Sequence, residues 1–304
     1  MSNNPQSVIN EASTKYAQKR PSSLKRWTRL LLKSKTGTVG FIIVTLVFLV
    51  AIFAPLLAPH DPAAIKAANM LKPPFWMEGG STANILGTDN LGRDILSRII
   101  YGSQISLLVG LTSVLVAGII GVFVGLIAGF YGGFVDNVLM RLVDSFLAIP
   151  TILFALVILS VFGPSVVTLI LVLGATNWVN YARIIRGEVL TVKERDFVRA
   201  ATSIGVKNRM IIMRHLLPNV ISSFIVISTL TVATTIILEA SLSFLGLGVQ
   251  PPTVSWGSIL SDGRDYLATS WWLATFPGIA ITVTVLGIIF MGDWLRDVLD
   301  PRSN

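Results

Sequence analysis

Residues 199–218 read RAATSIGVKNRMIIMRHLLP, a basic, amphipathic stretch set between long apolar runs. Two apolar runs could be joined by far fewer residues, so this stretch needs a reason of its own. Residues 195–204 suit a short helix with Ala200 and Ala201 on a face that another protein can approach closely. Gly205 permits the left-handed backbone that ends a helix. Residues 206–215 suit a second helix, and Pro218 suits the first turn of the next one, where a missing N–H costs little. The stretch therefore reads as a projecting knob of two short helices. The plainer alternative is a basic loop held against anionic lipid.

Composition says what surrounds the knob. Of 304 residues, 53% are hydrophobic and only 13% charged, against about a quarter charged in an ordinary soluble domain. Lipid is the expected main solvent. The net charge of +8 could suggest nucleic acid, but the charges cluster at the ends of apolar runs, where they set topology. The absence of cysteine excludes disulfides, thiolate metal sites and cysteine nucleophiles.

Six runs approach the roughly 20 residues that a membrane helix needs: 37–58, 105–130, 138–162, 166–185, 220–247 and 273–295. The fourth is interrupted by Asn177 and Asn180. Eight Lys or Arg against Glu11 alone precede the first run, and eight against Glu188, Glu194 and Asp196 separate the fourth from the fifth. The loops 59–103 and 248–272 carry no such excess. Six spans with both termini cytoplasmic satisfy that asymmetry and leave both balanced loops outside. The expected organisation is a basic cytoplasmic tail over 1–35 and a membrane domain over 36–304. The tail ends in an interfacial amphipathic helix (Leu24, Trp27, Leu31 and Leu32 among Lys and Arg), and 187–217 is the cytoplasmic coupling segment. The first run ends at Leu57-Ala58-Pro59, a poor cleavage site, so it reads as an uncleaved span. Trp272 and Trp294 bracket the last run as expected interfacial anchors.

Catalytic chemistry is hard to find. There is no Gly-Lys pair and so no phosphate-cradling loop. No Gly-x-Ser-x-Gly occurs, and His60 and His215 fall in different compartments. No catalytic or metal site is expected. Ala117, Gly121, Gly125 and Gly129 share one helix face and permit close helix packing. The intramembrane polar residues singled out are Arg141, Asp144 and Glu239, with Asp136 at the cytoplasmic edge. Arg141 and Asp144, three apart, are expected to neutralise each other, with a substrate or proton role as the alternative. Glu239 is expected near the outer surface. In the outer loops, Asp89, Arg93 and Asp94 are the expected polar contacts of an outer gate and landing surface for an external protein.

These motifs resemble the permease subunits of binding-protein-dependent ABC importers. The cytoplasmic signature of those proteins, Glu-Ala-Ala, three residues, Gly, nine residues, Ile-x-Leu-Pro, is matched at Ala200, Ala201, Gly205, Leu217 and Pro218. Arg199 stands where that signature has Glu, and His215 where it has Ile. LGTDNLGRDILSRIIYG from Leu86, EASLSFLGLGVQPPTVSWG from Glu239 and GDWLRDVLDPR from Gly292 resemble the dipeptide, oligopeptide and nickel branch, and within it the C-type second permease. The resemblance covers 31–302. It implies an all-α, type I importer permease fold with Arg199, Ala200, Ala201, Gly205, Leu217 and Pro218 docking on an ATPase. It also implies a related permease as heterodimer partner, two ATPase subunits that hold ATP and Mg, an external binding protein, and a bacterial plasma membrane. Dipeptides or short oligopeptides are the expected cargo, with nickel, glutathione or haem as alternatives. A secondary transporter or channel is the competing class, and the lack of a mid-depth acidic or histidine relay argues against it.

Overall fold

The computed structural model describes residues 23–299, and within them every regular element is a helix. The expected tail over 1–20 and the final Asp-Pro-Arg lie outside the described residues. In chain order the helices are α1 (Ser23–Lys33), α2 (Lys35–Ile52), the short α3 (Ala54–Leu57), α4 (Ile95–Tyr131), α5 (Gly133–Leu147), α6 (Thr151–Phe162) and α7 (Val166–Lys193). Then come α8 (Asp196–Ser203), α9 (Asn208–Ile211), α10 (Leu217–Phe244), α11 (Trp256–Gly263) and α12 (Trp272–Leu299). Local chemistry sets several starts. Asp94 caps α4 by accepting from Ser97 N, Ser165 caps α7 from Thr168 N, and Ser255 with Ser258 forms a reciprocal capping box on α11.

Four helical stretches are long and apolar enough to cross a membrane: Lys35–Ile52, Ile95–Tyr131, Asn208–Phe244 and Trp272–Leu299. A fifth is the pair α5 and α6, bent by 81°. The third apolar run is thus broken rather than continuous, at Ala148-Ile149-Pro150, because proline lacks the N–H and disfavours helix in the residue before it. The fourth run forms a 28-residue helix, but Asn177, Asn180 and Arg183 keep it out of the span-forming set. α4 begins inside what was expected to be loop and reaches 37 residues, about 55 Å at 1.5 Å per residue.

The axis of the bundle is the pairing of α4 with α7, which run in parallel. Gly121 lies against the Tyr181 side chain and the Trp178 carbonyl, Gly125 against the Ala182 carbonyl, and Gly129 against Val189. A Cβ on Gly125 would stand 2.7 Å from the Ala182 oxygen. A second close approach joins α2 to α12, where a Cβ on Gly40 would lie 2.6 Å from Met291 N and one on Gly287 2.5 Å from the Ile43 side chain. Around these seams the core combines Ala117, Trp178, Tyr181 and Ala182 with Ile236, Trp256, Ile259, Trp272 and Ile288. Large apolar side chains such as Leu56, Ile119, Phe123, Phe134 and Phe162 point outward, as expected where lipid is the solvent.

Trp272 and Trp294 are buried within the bundle. Trp272 Nε1 donates to Thr88 O at 3.3 Å, and Trp294 covers Gly37.

Gly121→Val is expected to destabilise the purified protein by about 1–3 kcal/mol or to prevent its accumulation, because the facing backbone cannot retreat. Gly187→Ala, with open space around it, should leave the unfolding temperature in detergent unchanged or slightly raised. Equal unfolding temperatures for both variants would reject the close seam.

Candidate functional site

The two ends of the bundle differ. At the loop end, 59–94 and 245–271 are joined by a charge cluster. Asp89 is 1% exposed and accepts at Oδ1 from Leu91 N and Arg93 N, at 2.8 and 2.9 Å. Its Oδ2 accepts from Arg93 Nε at 2.6 Å and from Arg98 Nη1. Both arginines then reach Asp262 Oδ2 at 3.0 Å, across about 165 residues of sequence. Asp94, 3% exposed, accepts from Ser97 N at 2.8 Å, Ser97 Oγ at 2.7 Å and Asn84 Nδ2 at 2.9 Å. Asp89 and Asp94 therefore lie beneath the surface expected of them, and Arg93 is nearly covered. A carboxylate that accepts backbone N–H groups and arginine forks is held by its own loop. Arg98 and Asp262 complete the cluster. Sequence spacing could suggest Asp89, Arg93 and Arg98 as one set, whereas Asp262 joins only through the fold.

Beneath this cluster lies Glu239, fully buried. Its Oε1 accepts from Ser243 Oγ and from Ser255 Oγ, both at 2.8 Å. Ser255 also caps α11, whose Trp256 donates its backbone N–H to Ser106 Oγ at 3.1 Å and its indole N–H to Ile99 O at 2.9 Å. Glu239 thus ties α10 to the start of α11, which is pinned to α4. It sits inside the packing, near the loop end of α10.

In the body of the bundle, Arg141 and Asp144 do not pair. Asp144 Oδ1 accepts from Arg183 Nη2 of α7 at 2.7 Å, while Arg141 is exposed. Asp136 receives both nitrogens of an Arg186 fork, at 2.5 and 2.6 Å. The i,i+3 rule supplied the wrong partner because α7 crosses α5 closely enough to bring an arginine fork within reach. The ten-residue spacing of Lys193 from Arg183 ends at the far end of the pair, where Lys193 Nζ donates to Phe130 O at 2.7 Å.

That far end carries the elbow quoted at the outset. α8 is short, Gly205 has φ +79°, and α9 runs through a π turn at Ile212–Leu216 into α10. The expected second short helix is thus the first part of one 37-residue stretch, Asn208–Phe244. Pro218 explains the π turn: it has no N–H for the Arg214 carbonyl, and Leu217 N bonds instead to Ile212 O, five residues back. Val198, Ile211, Leu216 and Val220 pack with Ile185 and Val189 of α7. Ala201 is buried on that side and Leu217 half-buried, whereas Arg199, Ala200, Gly205 and Pro218 face out. Only Ala200 of the alanine pair is therefore presented to a neighbour. Phe197, Ile204, Met210 and Met213 stand exposed beside them, with Lys207, Arg209 and Arg214. Among the described residues no three His, Asp or Glu side chains gather as a metal site.

A helical membrane bundle with one buried, cross-linked end and a projecting basic elbow at the other matches known proteins closely. Residues 121–304 match the family described as binding-protein-dependent transport system inner membrane component, and residues 22–74 match the N-terminal TM domain of oligopeptide transport permease C. The chain is 46% identical over 270 residues to the dipeptide transport system permease protein DppC of Escherichia coli, covering 89% of this chain and 90% of that one. It is 40% identical over 282 residues to the di/tripeptide transport system permease protein DppC of Pseudomonas aeruginosa, covering 93% of each. It is 42% identical over 272 residues to the dipeptide transport system permease protein DppC of Alkalihalophilus pseudofirmus, covering 90% and 88%. The protein belongs to the family of inner-membrane components of binding-protein-dependent transport systems.

Asp89→Ala leaves two nearly buried guanidinium groups facing one half-exposed carboxylate. It should cost about 3–5 kcal/mol and expose 59–94 to protease. Asp265→Ala, at an exposed pair with its neighbour Arg264, should change stability by no more than about 0.5 kcal/mol. Thermal unfolding and limited proteolysis of both variants decide whether the cluster locks the loops.

Proposed function

We propose that this protein is a membrane-spanning permease subunit of an ATP-driven importer of dipeptides or short oligopeptides in a bacterial plasma membrane. The observation that carries the reading is the alignment, over about nine-tenths of both chains, with permeases named for dipeptide transport. The subunit itself is non-catalytic. It works with a related permease, two ATPase subunits that bind and hydrolyse ATP with Mg, and an external binding protein.

In this reading the chain crosses the membrane six times. The path of the chain supports it: α2, α4, the bent α5–α6 pair, α7, α10 and α12 run alternately between the two ends. The start of α2 lies against the end of α12, through Gly37 and Trp294, which supports a reading with both termini on the elbow side. The excess of Lys and Arg at that end supports a cytoplasmic assignment. The elbow then meets an ATPase with Phe197, Ile204, Met210 and Met213 as apolar contacts, Arg199 and Lys207 as rim charges, and Ala200 as the point of closest approach. Its motion travels through Val198 and Ile211 into α7 and through the unbroken helical stretch into α10. The locked loop end, with Asp89, Arg93 and Asp94 as its internal frame, offers a rigid outer surface to the binding protein.

Reconstituted with its partners in liposomes, the complex should take up labelled dipeptide only with internal ATP and external binding protein. Gly205→Val should lower that uptake at least fivefold while the chain still reaches the membrane, because a β-branched side chain resists positive φ. Gly205→Asn should retain most uptake. Selective uptake of nickel or haem instead of peptide would overturn the cargo reading, and normal uptake by Gly205→Val would overturn the elbow's role.

Topology has its own test, made simple by a chain without cysteine. An impermeant thiol reagent added to intact cells should label Glu78→Cys and Asp265→Cys, but not Ser203→Cys or Asn208→Cys. The reverse pattern would invert the assignment.

A further inference from the structure

One face of α7 is committed to the glycine seam of α4; the other carries polar and small residues. Thr176, Asn180, Arg183, Gly187 and Thr191 recur every three or four residues, the first half-exposed and the rest exposed. They make a stripe about 22 Å long at 1.5 Å per residue. Hydrocarbon cannot solvate such a stripe. A charged side chain at the centre of a bilayer costs at least about 2.5–3.5 kcal/mol, yet Arg183 and its partner Asp144 are 56% and 61% exposed. Arg183 lies level with Gly121 and Gly125 of α4 and ten residues, about 15 Å, from Lys193 at the elbow end. A face of this kind needs water or polar partners beside it.

The chemistry of that face is specific. Asp144 occupies the last turn of α5, just before the 81° bend into α6. Arg183 contributes only Nη2 to the pair and Asp144 only Oδ1. Arg141, one turn earlier on α5, stands exposed, and Asn180 lies one turn before Arg183. The surface thus offers one anionic acceptor, two guanidinium forks and an amide. A free peptide has two constant features, an ammonium at one end and a carboxylate at the other, while its side chains vary. Broken helices beside charged residues are where transporters commonly build such points.

We propose that Asp144 and Arg183, flanked by Arg141 and Asn180, form a recognition point in the translocation path for the charged ends of a free peptide. Asp144 receives the ammonium, and the Arg183 and Arg141 forks receive the carboxylate, each displacing part of the ion pair that the two side chains make with one another. Little net charge needs to move, because a zwitterion replaces an internal pair. The inference rests on the peptide-importer reading above.

The test uses the complete importer in liposomes with labelled dialanine. Asp144→Asn, Arg183→Gln and the exchange of Asp144→Arg with Arg183→Asp are compared with wild type for subunit co-purification and for uptake per ATP hydrolysed. The proposal expects all three to co-purify fully and to lose at least tenfold of that ratio. The exchange restores an ion pair but reverses its direction, so it should not rescue. Rescue by the exchange would show a purely structural pair, and loss of co-purification would assign the face to the second permease; either overturns the proposal. Wild-type ratios in all three would do the same. Wild-type complex that carries no dipeptide would instead reject the peptide-importer reading, whatever the variants do.

Discussion

Three glycines on one face of α4 let α7 approach until its backbone touches theirs. Much else in the molecule depends on that contact. With α7 held in register along α4, its exposed face must carry what the packed face cannot, and its arginines are delivered to fixed heights. Arg186 meets Asp136 near the elbow, Arg183 meets Asp144 higher up, and Lys193 reaches the end of α4. Were the two helices separated by even one methyl group, none of these pairings would keep its distance, because side-chain packing in a bilayer depends on close contact rather than on exclusion of water.

The two ends of the bundle solve opposite problems. At the loop end, polar loops lie over a helical core, and their charges are consumed internally: Asp89 and Asp262 close around Arg93 and Arg98, and Glu239 is held by serines of α10 and α11. Such an end transmits force as a unit. At the elbow end, charges and large apolar side chains stay exposed on α8 and around Gly205. An exposed mixture of Met, Ile, Phe and Arg is what a partner surface looks like before its partner is in place. In the proposed importer, one end receives cargo through a rigid frame and the other receives the mechanical input. Between them lies the polar face of α7, beside the break in α5 and α6.

Membership of the permease family, helical class and the approximate positions of four spans and a fifth, bent one were legible in the sequence, because in lipid every backbone group must be satisfied within its own helix and apolar length is therefore informative. The left-handed glycine of the elbow and the glycine face of α4 were legible for the same kind of reason: both are properties of a residue and its immediate neighbours. Pairings between elements were not. The i,i+3 rule offered Arg141 to Asp144, but the competing partner comes from a helix 39 residues away. Asp89 and Asp94 looked like surface charges because polarity in a loop suggests water, whereas the loop folds back on itself and turns its own N–H groups and arginines onto them. The spacing of Trp272 and Trp294 did not show what covers their rings, which are buried against Thr88 and Gly37.

The sequence by itself determined what each segment could be: which stretches seek lipid, where helices must start, bend or turn left-handed, and which end of the chain's path gathers positive charge. These follow from composition and from the conformational limits of Gly, Pro and capping side chains, which act within a few residues. Tertiary structure alone decided who meets whom. It decided that Arg183 is taken by Asp144, that Asp262 closes the loop lock, that Ala201 turns inward while Ala200 turns out, and that the polar stripe of α7 is left facing open space. The physical reason is that a side chain's neighbours across a helix crossing depend on the rotation and register of both helices, and those are settled jointly by the close contacts of the whole bundle.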